Sequence, residues 1–285
     1  MRDWRAWLEA ARPRTLPASL APLLLGNGLV LREGDGSYWL ALISLLCATA
    51  LQVLVNFAND LADGVGGIDS HERLGPPRMV QQQRISAGGM RFGIVGCGLV
   101  AVACGFYLAV VSSWWLLLLG AACLLAALAY SSGPWPLASH GLGEVTAFLF
   151  FGPVAVLGAA YVQTGAISPL WLLPAVAVGL PIAAIMLVNN IRDMPTDGPV
   201  GKRTLALRLG RPRSQLLYGW LLLLPVLLFS LLARQWWALP LAAGLGLWAF
   251  NLWRQVLRAD GRAFNPMLAA TARYTLAVAL AWLLV

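Results

Sequence analysis

The amino-acid sequence has 285 residues, of which 59% are hydrophobic and only 11% are charged. An average soluble domain carries about 25% charged residues, so this composition excludes an ordinary water-soluble globule. The formal net charge of +8 would suggest a nucleic-acid partner in a soluble protein. Here the basic residues fall between long apolar stretches, where orientation in a membrane accounts for them, and we expect no nucleic-acid partner.

The N-terminal segment 1–15 predicts a short amphipathic helix that lies at the cytoplasmic membrane surface. Its apolar residues recur at helical spacing, at Trp4, Trp7, Leu8 and Ala11. Arginines surround them, as is typical of interfacial helices. Because Asp3 and Glu9 precede the first apolar run, we expect this segment to be retained and not cleaved as a signal peptide.

Nine apolar stretches follow, and each approaches the roughly 20 residues that a helix needs to cross a bilayer. They are residues 16–32, 37–58, 92–112, 114–131, 141–163, 169–191, 214–233, 235–252 and 266–285. The sequence therefore predicts an all-α membrane protein, a nine-transmembrane-helix bundle that forms a single domain over residues 1–285. The four cysteines all lie inside apolar segments without paired spacing, which indicates small buried side chains and not metal or redox chemistry.

The basic residues predict the orientation of the bundle. Most of the 20 lysines and arginines fall before the first span or in alternate loops, whereas the other side has only Arg32 and Arg234. The positive-inside rule then places the N-terminus in the cytoplasm and the C-terminus outside. Two cytoplasmic loops, 59–91 and 192–213, are expected to hold most of the chemistry.

Half of the twelve acidic residues lie in or beside these two loops, at Asp60, Asp63, Asp69, Glu72, Asp193 and Asp197. In the first loop the amides and carboxylates are spaced i, i+3, i+4 and i+7, at Asn56, Asn59, Asp60 and Asp63, and would share one face if the second span continues as a helix. The second cluster places Asn189, Asp193 and Asp197 at i, i+4 and i+8. Pro195 disfavours helix at Met194 and is expected to loosen that turn.

Carboxylates crowded at a membrane interface need a counter-ion, and Asp and Asn oxygens are the hard ligands that Mg²⁺ prefers. The residues therefore suggest a metal-bridged phosphate ester. Nearby cations could neutralise the remaining phosphate charge, at Arg78, Arg84, Lys202, Arg203 and Arg208. The alternative at this point is that the acids only pair with these cations as solvated loop charge.

No competing catalytic motif is visible. The sequence lacks a phosphate-binding G-x-x-x-x-G-K-[ST] loop, and its two histidines, His71 and His140, are far apart. Glu144, at the start of the fifth span, is either a residue that faces a substrate cavity or a structural carboxylate. Tyr130 could stack on an aromatic ring or a cation, although a tyrosine at this depth is usually a membrane anchor.

Taken together, these segments resemble the UbiA superfamily of intramembrane aromatic prenyltransferases, and within it the branch that prenylates 1,4-dihydroxy-2-naphthoate in menaquinone synthesis. Asn59, Asp60 and Asp63 match the start of the N-D-x-x-D-x-x-x-D pattern, and Asp193 with Asp197 match D-x-x-x-D. Asp69 follows Asp63 by six residues where the general pattern has four, a spacing that resembles the naphthoate branch. Further similar segments are RPRTLPAS, NFANDLAD, ERLGPPR, GLGE with FFG, GKRTLALRLG and NPML.

The resemblance implies a central cavity that opens to the cytoplasm and the lipid, in a bacterial inner membrane. It implies Mg²⁺ as cofactor, and polyprenyl diphosphate and 1,4-dihydroxy-2-naphthoate as substrates, with demethylmenaquinol, diphosphate and carbon dioxide as products. No obligatory protein partner is implied. Catalytic metal ligands would be Asp60, Asp63, Asp193 and Asp197, with Asp69 as a further ligand. Residues at the diphosphate would be Asn56, Asn59, Asn189, Arg78, Lys202 and Arg203, and the aromatic acceptor would lie near Glu144 and Tyr130.

Three alternatives remain open. A sibling enzyme would use 4-hydroxybenzoate or another aromatic acceptor. A CDP-alcohol phosphotransferase is suggested by the DLADG fragment, but the residues after Gly64 depart from that pattern. A cation-coupled transporter would also carry intramembrane acids, but its charges tend to lie near broken helices at the midplane, whereas these lie at span ends on one side.

Overall fold

The computed structural model describes residues 3–66, 78–131, 136–233 and 235–285, and all regular structure in these ranges is helical. The prediction of an all-α protein is confirmed. The α-helices are α1 (Trp4–Ala11), α2 (Leu16–Glu33), α3 (Tyr38–Gly66), α4 (Ala87–Val111), α5 (Trp115–Ser131), α6 (Gly143–Leu149), α7 (Ala155–Thr164), α8 (Leu172–Asp197), α9 (Leu205–Leu209), α10 (Arg211–Leu232), α11 (Ala238–Arg258) and α12 (Asn265–Trp282).

Helices occupy each of the predicted spans within the described residues. In the described part of the chain, five segments are long and apolar enough to cross a membrane: Tyr38–Ala62, Ala87–Val111, Gly143–Thr164, Pro169–Asp197 and Arg211–Leu232. Large apolar side chains cover the outer face of α4 and α5, where Phe92 is 81% exposed and Trp115 is 69% exposed. An apolar surface of this kind is expected to face lipid. The number of membrane crossings stays a prediction.

The two segments expected as loops, 59–91 and 192–213, are partly helical. Helix α3 continues to Gly66, and α4 begins at Ala87. Helix α8 continues to Asp197 with Pro195 inside it, and the second segment also contains α9 and the start of α10. The expectation that Pro195 loosens the helix at Met194 is therefore wrong, because the chain holds helical geometry through the proline. Both acidic clusters begin on helix ends as a result.

Helix α8 lies at the centre of the fold and packs against α2, α6, α10 and α12. The segment Phe150–Val154, which contains Pro153, forms a π-helical turn between α6 and α7. Beside it the backbones of Gly152 and Gly179 come so close that a Cβ on Gly152 would lie 2.8 Å from the Gly179 Cα. Only glycine permits this approach, which brings α6 and α7 against α8.

Long-range hydrogen bonds show that the acidic ends of α3 and α8 lie at the same end of the bundle. Ser19 near the start of α2 donates to Gln52 of α3 at 2.7 Å. Arg192 of α8 donates to Asn265 at the start of α12 at 2.8 Å. At the opposite end Arg32 of α2 donates to the carbonyl oxygen of Val285, after α12, at 2.8 Å, so α2 and α12 run in the same direction. The start of α12 therefore lies beside the end of α8, and the start of α2 lies beside Gln52 of α3, whose acidic end follows in the same direction.

Candidate active site

The first carboxylate at the end of α3, Asp60, is buried and only 2% exposed. Its Oδ2 accepts a hydrogen bond from the amide of Met79 and its Oδ1 accepts one from the amide of Val80, both at 2.9 Å. Two backbone donors satisfy one lone pair on each oxygen and leave further lone pairs for a cation. Asp60 therefore fixes the turn that precedes α4 and keeps the capacity to bind a metal.

The other candidates of the first cluster lie at different depths. Asn56 is buried, and its Nδ2 donates to the carbonyl oxygen of Ala11 at 2.9 Å. Asn59 is exposed, so the two amides do not share one environment. Arg78 is 5% exposed at the start of the turn that Asp60 holds. Asp63 lies in α3, but its side chain is outside the described atoms, and Asp69 lies outside the described residues.

The second cluster forms a polar network on α8. Arg192, whose side chain is 6% exposed, donates to both carboxylate oxygens of Asp193 at 2.8 Å. It also donates to Oδ1 of Asn189 at 2.9 Å and to Oδ1 of Asn265 at 2.8 Å. Asn189 in turn donates to Asp193 at 3.3 Å. The structure thus brings Asn189 and Asp193 together and fixes both through a buried guanidinium.

Asp197, one turn further along α8, pairs with a different cation. Its Oδ1 lies 2.6 Å from Nζ of Lys202, whose side chain is 44% exposed. Arg203 is exposed, and its backbone amide donates to the carbonyl oxygen of Ser139. The second mouth, the end of α8 that carries Asp193 and Asp197, therefore has two cations that contact candidate ligands, Arg192 and Lys202. Arg203 is open to solvent.

A third group of polar residues lies deeper on the same face of α8. Glu144 is 4% exposed, its Oε1 accepts from Nδ2 of Asn190 at 2.8 Å, and its Oε2 has no hydrogen-bond partner among the described residues. The hydroxyl of Tyr130 lies 3.9 Å from the sulfur of Met186. Met186, Asn190 and Asp193 recur at i, i+4 and i+7 and so share one face of α8.

Asn190 lies about 4.5 Å along the helix axis from Asp193, from the rise of 1.5 Å per residue. A Cβ on Gly143, next to Glu144, would lie 3.5 Å from the Tyr130 hydroxyl, so Glu144 and Tyr130 border the same space. Glu144, which contacts Asn190, therefore stands about one helical turn deeper in the bundle than Asp193, and Tyr130, which contacts Met186, stands about two turns deeper.

The residues present fit Mg²⁺ by ligand type. Among the described residues no three His, Cys, Asp or Glu side chains form a compact metal site. Asp60, Asp193 and Asp197 nevertheless offer only hard oxygen ligands, and Asp193 and Asp197 already attract a cation, Arg192 or Lys202. Such carboxylates can accept Mg²⁺ together with substrate phosphate oxygens.

Sequence reasoning missed three residues of this network: Arg192, Asn190 and Asn265. Arg192 and Asn190 lie inside the segment NNIRD, but the i, i+4 spacing drew attention only to Asn189 and Asp193. Asn265 begins the NPML segment, which the resemblance had marked as similar without giving it a role. Its contact with Arg192 joins residues 73 positions apart, which no local pattern could indicate.

Comparison with known proteins agrees with the family resemblance found in the sequence. The 1,4-dihydroxy-2-naphthoate octaprenyltransferase of Mycobacterium tuberculosis is 39% identical over 245 residues, which are 85% of this chain and 84% of that protein. The enzyme of the same name from Escherichia coli is 36% identical over 285 aligned residues, covering 94% of this chain and 91% of that protein.

A solved structure of a UbiA homolog from Archaeoglobus fulgidus bound to DMAPP and Mg²⁺ has a TM-score of 0.63 at 17% identity and covers 96% of this chain and 99% of its own. At this identity the likeness shows the fold. The model of the UbiA prenyltransferase family matches residues 19–284. The resemblance seen in the sequence is confirmed: the chain belongs to the UbiA prenyltransferase family.

Proposed function

We propose that this protein transfers a polyprenyl chain from polyprenyl diphosphate to 1,4-dihydroxy-2-naphthoate in a Mg²⁺-dependent reaction that releases carbon dioxide and diphosphate and yields demethylmenaquinol. The observation that carries the proposal is the arrangement of α3 and α8, whose carboxylate-bearing last turns lie at one end of a bundle. The chain is also 39% and 36% identical to two proteins that bear the corresponding name.

In the proposed membrane arrangement nine helices span the bilayer, the N-terminus and both acidic mouths face the cytoplasm, and the C-terminus lies outside. Five segments with the length and composition of membrane spans support part of this topology. The basic loops support the orientation. A central cavity open to the cytoplasm and to lipid would let the apolar donor tail stay in hydrocarbon while its charged head reaches the carboxylates.

The metal ligands would be Asp60 and Asp63 at the first mouth and Asp193 and Asp197 at the second, with Asp69 as a further ligand. Mg²⁺, when bound, would supply charge stabilisation of the departing diphosphate. Asn56, Asn59 and Asn189 would orient these carboxylates or the diphosphate. Arg78 and Arg203 would neutralise phosphate oxygens that the metal leaves uncovered.

Lys202 would serve two purposes. Its ammonium group lies on Asp197, where it balances a carboxylate that would otherwise be buried without a counter-charge. Because its side chain is 44% exposed and flexible, it can turn to the phosphate oxygens when a metal takes over the carboxylate. Arg192 would instead keep its position, since burial and four hydrogen bonds hold it in place.

The acceptor ring would lie beside Glu144 and Tyr130, about one to two helical turns deeper than Asp193. Oε2 of Glu144 is a buried polar atom for which the described part of the chain provides no hydrogen-bond partner, and such an atom costs free energy unless a ligand satisfies it. A ring hydroxyl of the acceptor is a suitable partner. The ring carbon that carries the carboxylate would attack the allylic carbon as the bond from the allylic carbon to diphosphate breaks, and this carboxylate would then leave the ring as carbon dioxide.

The substrates and the bilayer are the partners that this proposal requires; it includes no nucleic acid and no obligatory protein partner. The same site could serve a sibling enzyme with another aromatic acceptor. A cation-coupled transporter is a different class, and flux in proteoliposomes without prenyl chemistry would support it.

The test is an assay of purified protein in detergent with an allylic diphosphate, Mg²⁺ and a panel of acceptors that includes 1,4-dihydroxy-2-naphthoate and 4-hydroxybenzoate. We expect mass spectrometry to show a prenylated naphthoquinone whose formation stops with a chelator. Product from 4-hydroxybenzoate alone would assign the chain to a sibling activity, and no product from any acceptor would contradict the proposal.

A further inference from the structure

Helix α1 is joined by a ring of contacts to the first mouth, which is the end of α3 that carries Asp60 together with the turn 79–85. Arg84, between Asp60's turn and α4, donates through Nε and Nη2 to Oδ2 of Asp3 at 3.0 and 2.9 Å. Its Nη1 donates to Oε2 of Glu9 at 2.7 Å. One guanidinium therefore bridges both ends of α1, since Asp3 is also the N-cap of that helix.

The same arginine is joined to Asp60 through a single residue. The carbonyl oxygen of Met79 accepts from the amide of Arg84 at 3.0 Å, while the amide of Met79 donates to Asp60 at 2.9 Å. Gln83 in this turn has a φ of 58°, a conformation that is unfavourable for a residue with a side chain. The turn therefore needs contacts from outside itself to persist.

The C-terminal end of α1 contacts α3 and completes the ring of contacts. The carbonyl oxygen of Ala11 accepts from Asn56, one helical turn before Asp60. The side of α1 that faces α3 is apolar: Ala6 and Ala10 are buried in one cluster with Met79. The rings of Trp7 and Phe57 meet edge to face with centroids 5.4 Å apart.

The charges agree with this geometry. The hydrogen bond from Arg84 holds the pKa of Asp3 below its ordinary value, and pairing with Glu9 and Asp3 raises the pKa of Arg84. Trp4 and Leu8 remain 66% and 50% exposed, so the outer side of α1 stays free to rest on a membrane surface.

We propose that α1 is a strap that acts through Arg84: it holds the turn 79–85 against Asp60 and thereby positions the first carboxylate mouth and Arg78 for the diphosphate head. The proposal rests on the proposed function for the identity of that ligand. Arg84 is a positioning residue, because it contacts the turn and α1 and reaches the candidate ligand only through Met79.

The experiment measures hydrogen exchange in the purified, substrate-free protein, followed by kinetics. In Arg84→Gln we expect the amides of Met79 and Val80 to exchange about three- to tenfold faster, the loss expected when a network of two partly exposed ion pairs is removed. Arg91→Gln is the matched control, because Arg91 is an exposed arginine of α4 and no ion pair is described for it.

The kinetic arm separates positioning from a general loss of structure. Arg84→Gln should raise the KM for the allylic diphosphate and the Mg²⁺ concentration for half-maximal rate by about three- to tenfold, with less than about a twofold change in the acceptor KM. Exchanging the charges, as Arg84→Glu with Glu9→Arg, should restore part of both effects. If Arg84→Gln fails to fold, Glu9→Gln removes one arm of the bridge and should give a smaller change in the same direction.

Unchanged hydrogen exchange at the amides of Met79 and Val80 would overturn the proposal that α1 holds the turn. Faster exchange with an unchanged KM for the allylic diphosphate and an unchanged Mg²⁺ requirement would overturn the proposal that α1 positions the site. Absence of prenyl transfer by the parent protein would count against the proposed function instead. The exchange arm would then still decide whether α1 holds the turn.

Discussion

The two cations that pair with the carboxylates of α8 differ in how deeply they are buried, and this difference gives a quantitative prediction of their contributions to stability. Arg192 is 6% exposed and makes four hydrogen bonds, whereas Lys202 is 44% exposed and makes one with its side chain. Arg192→Met would leave Asp193 without its bidentate partner and would remove the hydrogen bond from Arg192 to Oδ1 of Asn265. Removing one partner of a fully buried pair costs about 3–5 kcal/mol.

Asp193 is 23% exposed, so water replaces part of the lost interaction. We expect Arg192→Met to lower the free energy of unfolding by about 2–3 kcal/mol. Lys202→Met should cost about 0.2–1 kcal/mol, the range for exposed ion pairs. With a shift of about 2–4 °C per kcal/mol for a chain of this size, the melting temperature should fall by about 4–12 °C for Arg192→Met and by at most about 4 °C for Lys202→Met.

Thermal unfolding in detergent, followed by intrinsic tryptophan fluorescence, measures both shifts, and Arg213→Met is the control on an exposed arginine of α10. Lys202→Met should also raise the KM for the allylic diphosphate by about tenfold, which corresponds to the loss of one charge-assisted contact. A melting temperature for Arg192→Met equal to that of the control would refute the reasoning that this guanidinium organises the second mouth.

Three further predictions follow from the site and the packing. Asp193→Asn should lower Mg²⁺-dependent transfer by at least about a hundredfold; activity within about twofold of the parent would show that Asp193 is not a ligand. Gly179→Ala should destabilise the protein by about 1–3 kcal/mol, because its Cβ would meet the Gly152 backbone; an unchanged melting temperature would contradict this. Because the pKa of Asp3 is lowered, its pairing with Arg84 stabilises the fold above the unfolded pKa and is lost as pH falls through the folded one. The difference in melting temperature between the parent and Arg84→Gln should therefore stay constant from about pH 6 to 8 and begin to shrink only below about pH 4, the unfolded pKa; a difference that stays at its full value through the folded pKa would contradict the pairing.

Hydropathy and spacing could predict the helices and the two acidic ends. The apolar stretches set where the chain can be helical in a membrane, and the i, i+4 spacing of Asn189 and Asp193 placed both on one turn, where the structure shows them hydrogen-bonded. The helix ends were less predictable. Pro195 disfavours helix at Met194 locally, yet α8 continues to Asp197, where Lys202 and the following residues pack back on it.

Contacts between distant segments could not be predicted. The two amides that bind Asp60 come from Met79 and Val80, about 20 positions away, and backbone donors leave no mark in a sequence. Helix α1 shows the same limit. Its spacing marked Trp4, Trp7, Leu8 and Ala11 as one apolar set, of which Trp7 and Ala11 pack in the cluster with α3 while Trp4 and Leu8 stay exposed. The fully buried residues of this face are the small Ala6 and Ala10, because close packing on another helix favours small residues.

The most direct test of the central claim is to supply 1,4-dihydroxy-2-naphthoate labelled with ¹³C in its carboxylate, an allylic diphosphate and Mg²⁺, and to measure product and labelled carbon dioxide together. The account predicts equal amounts of prenylated naphthoquinone and ¹³CO₂, both abolished by chelator. A prenylated product that keeps the labelled carboxylate, or labelled carbon dioxide released without prenyl transfer, would contradict it.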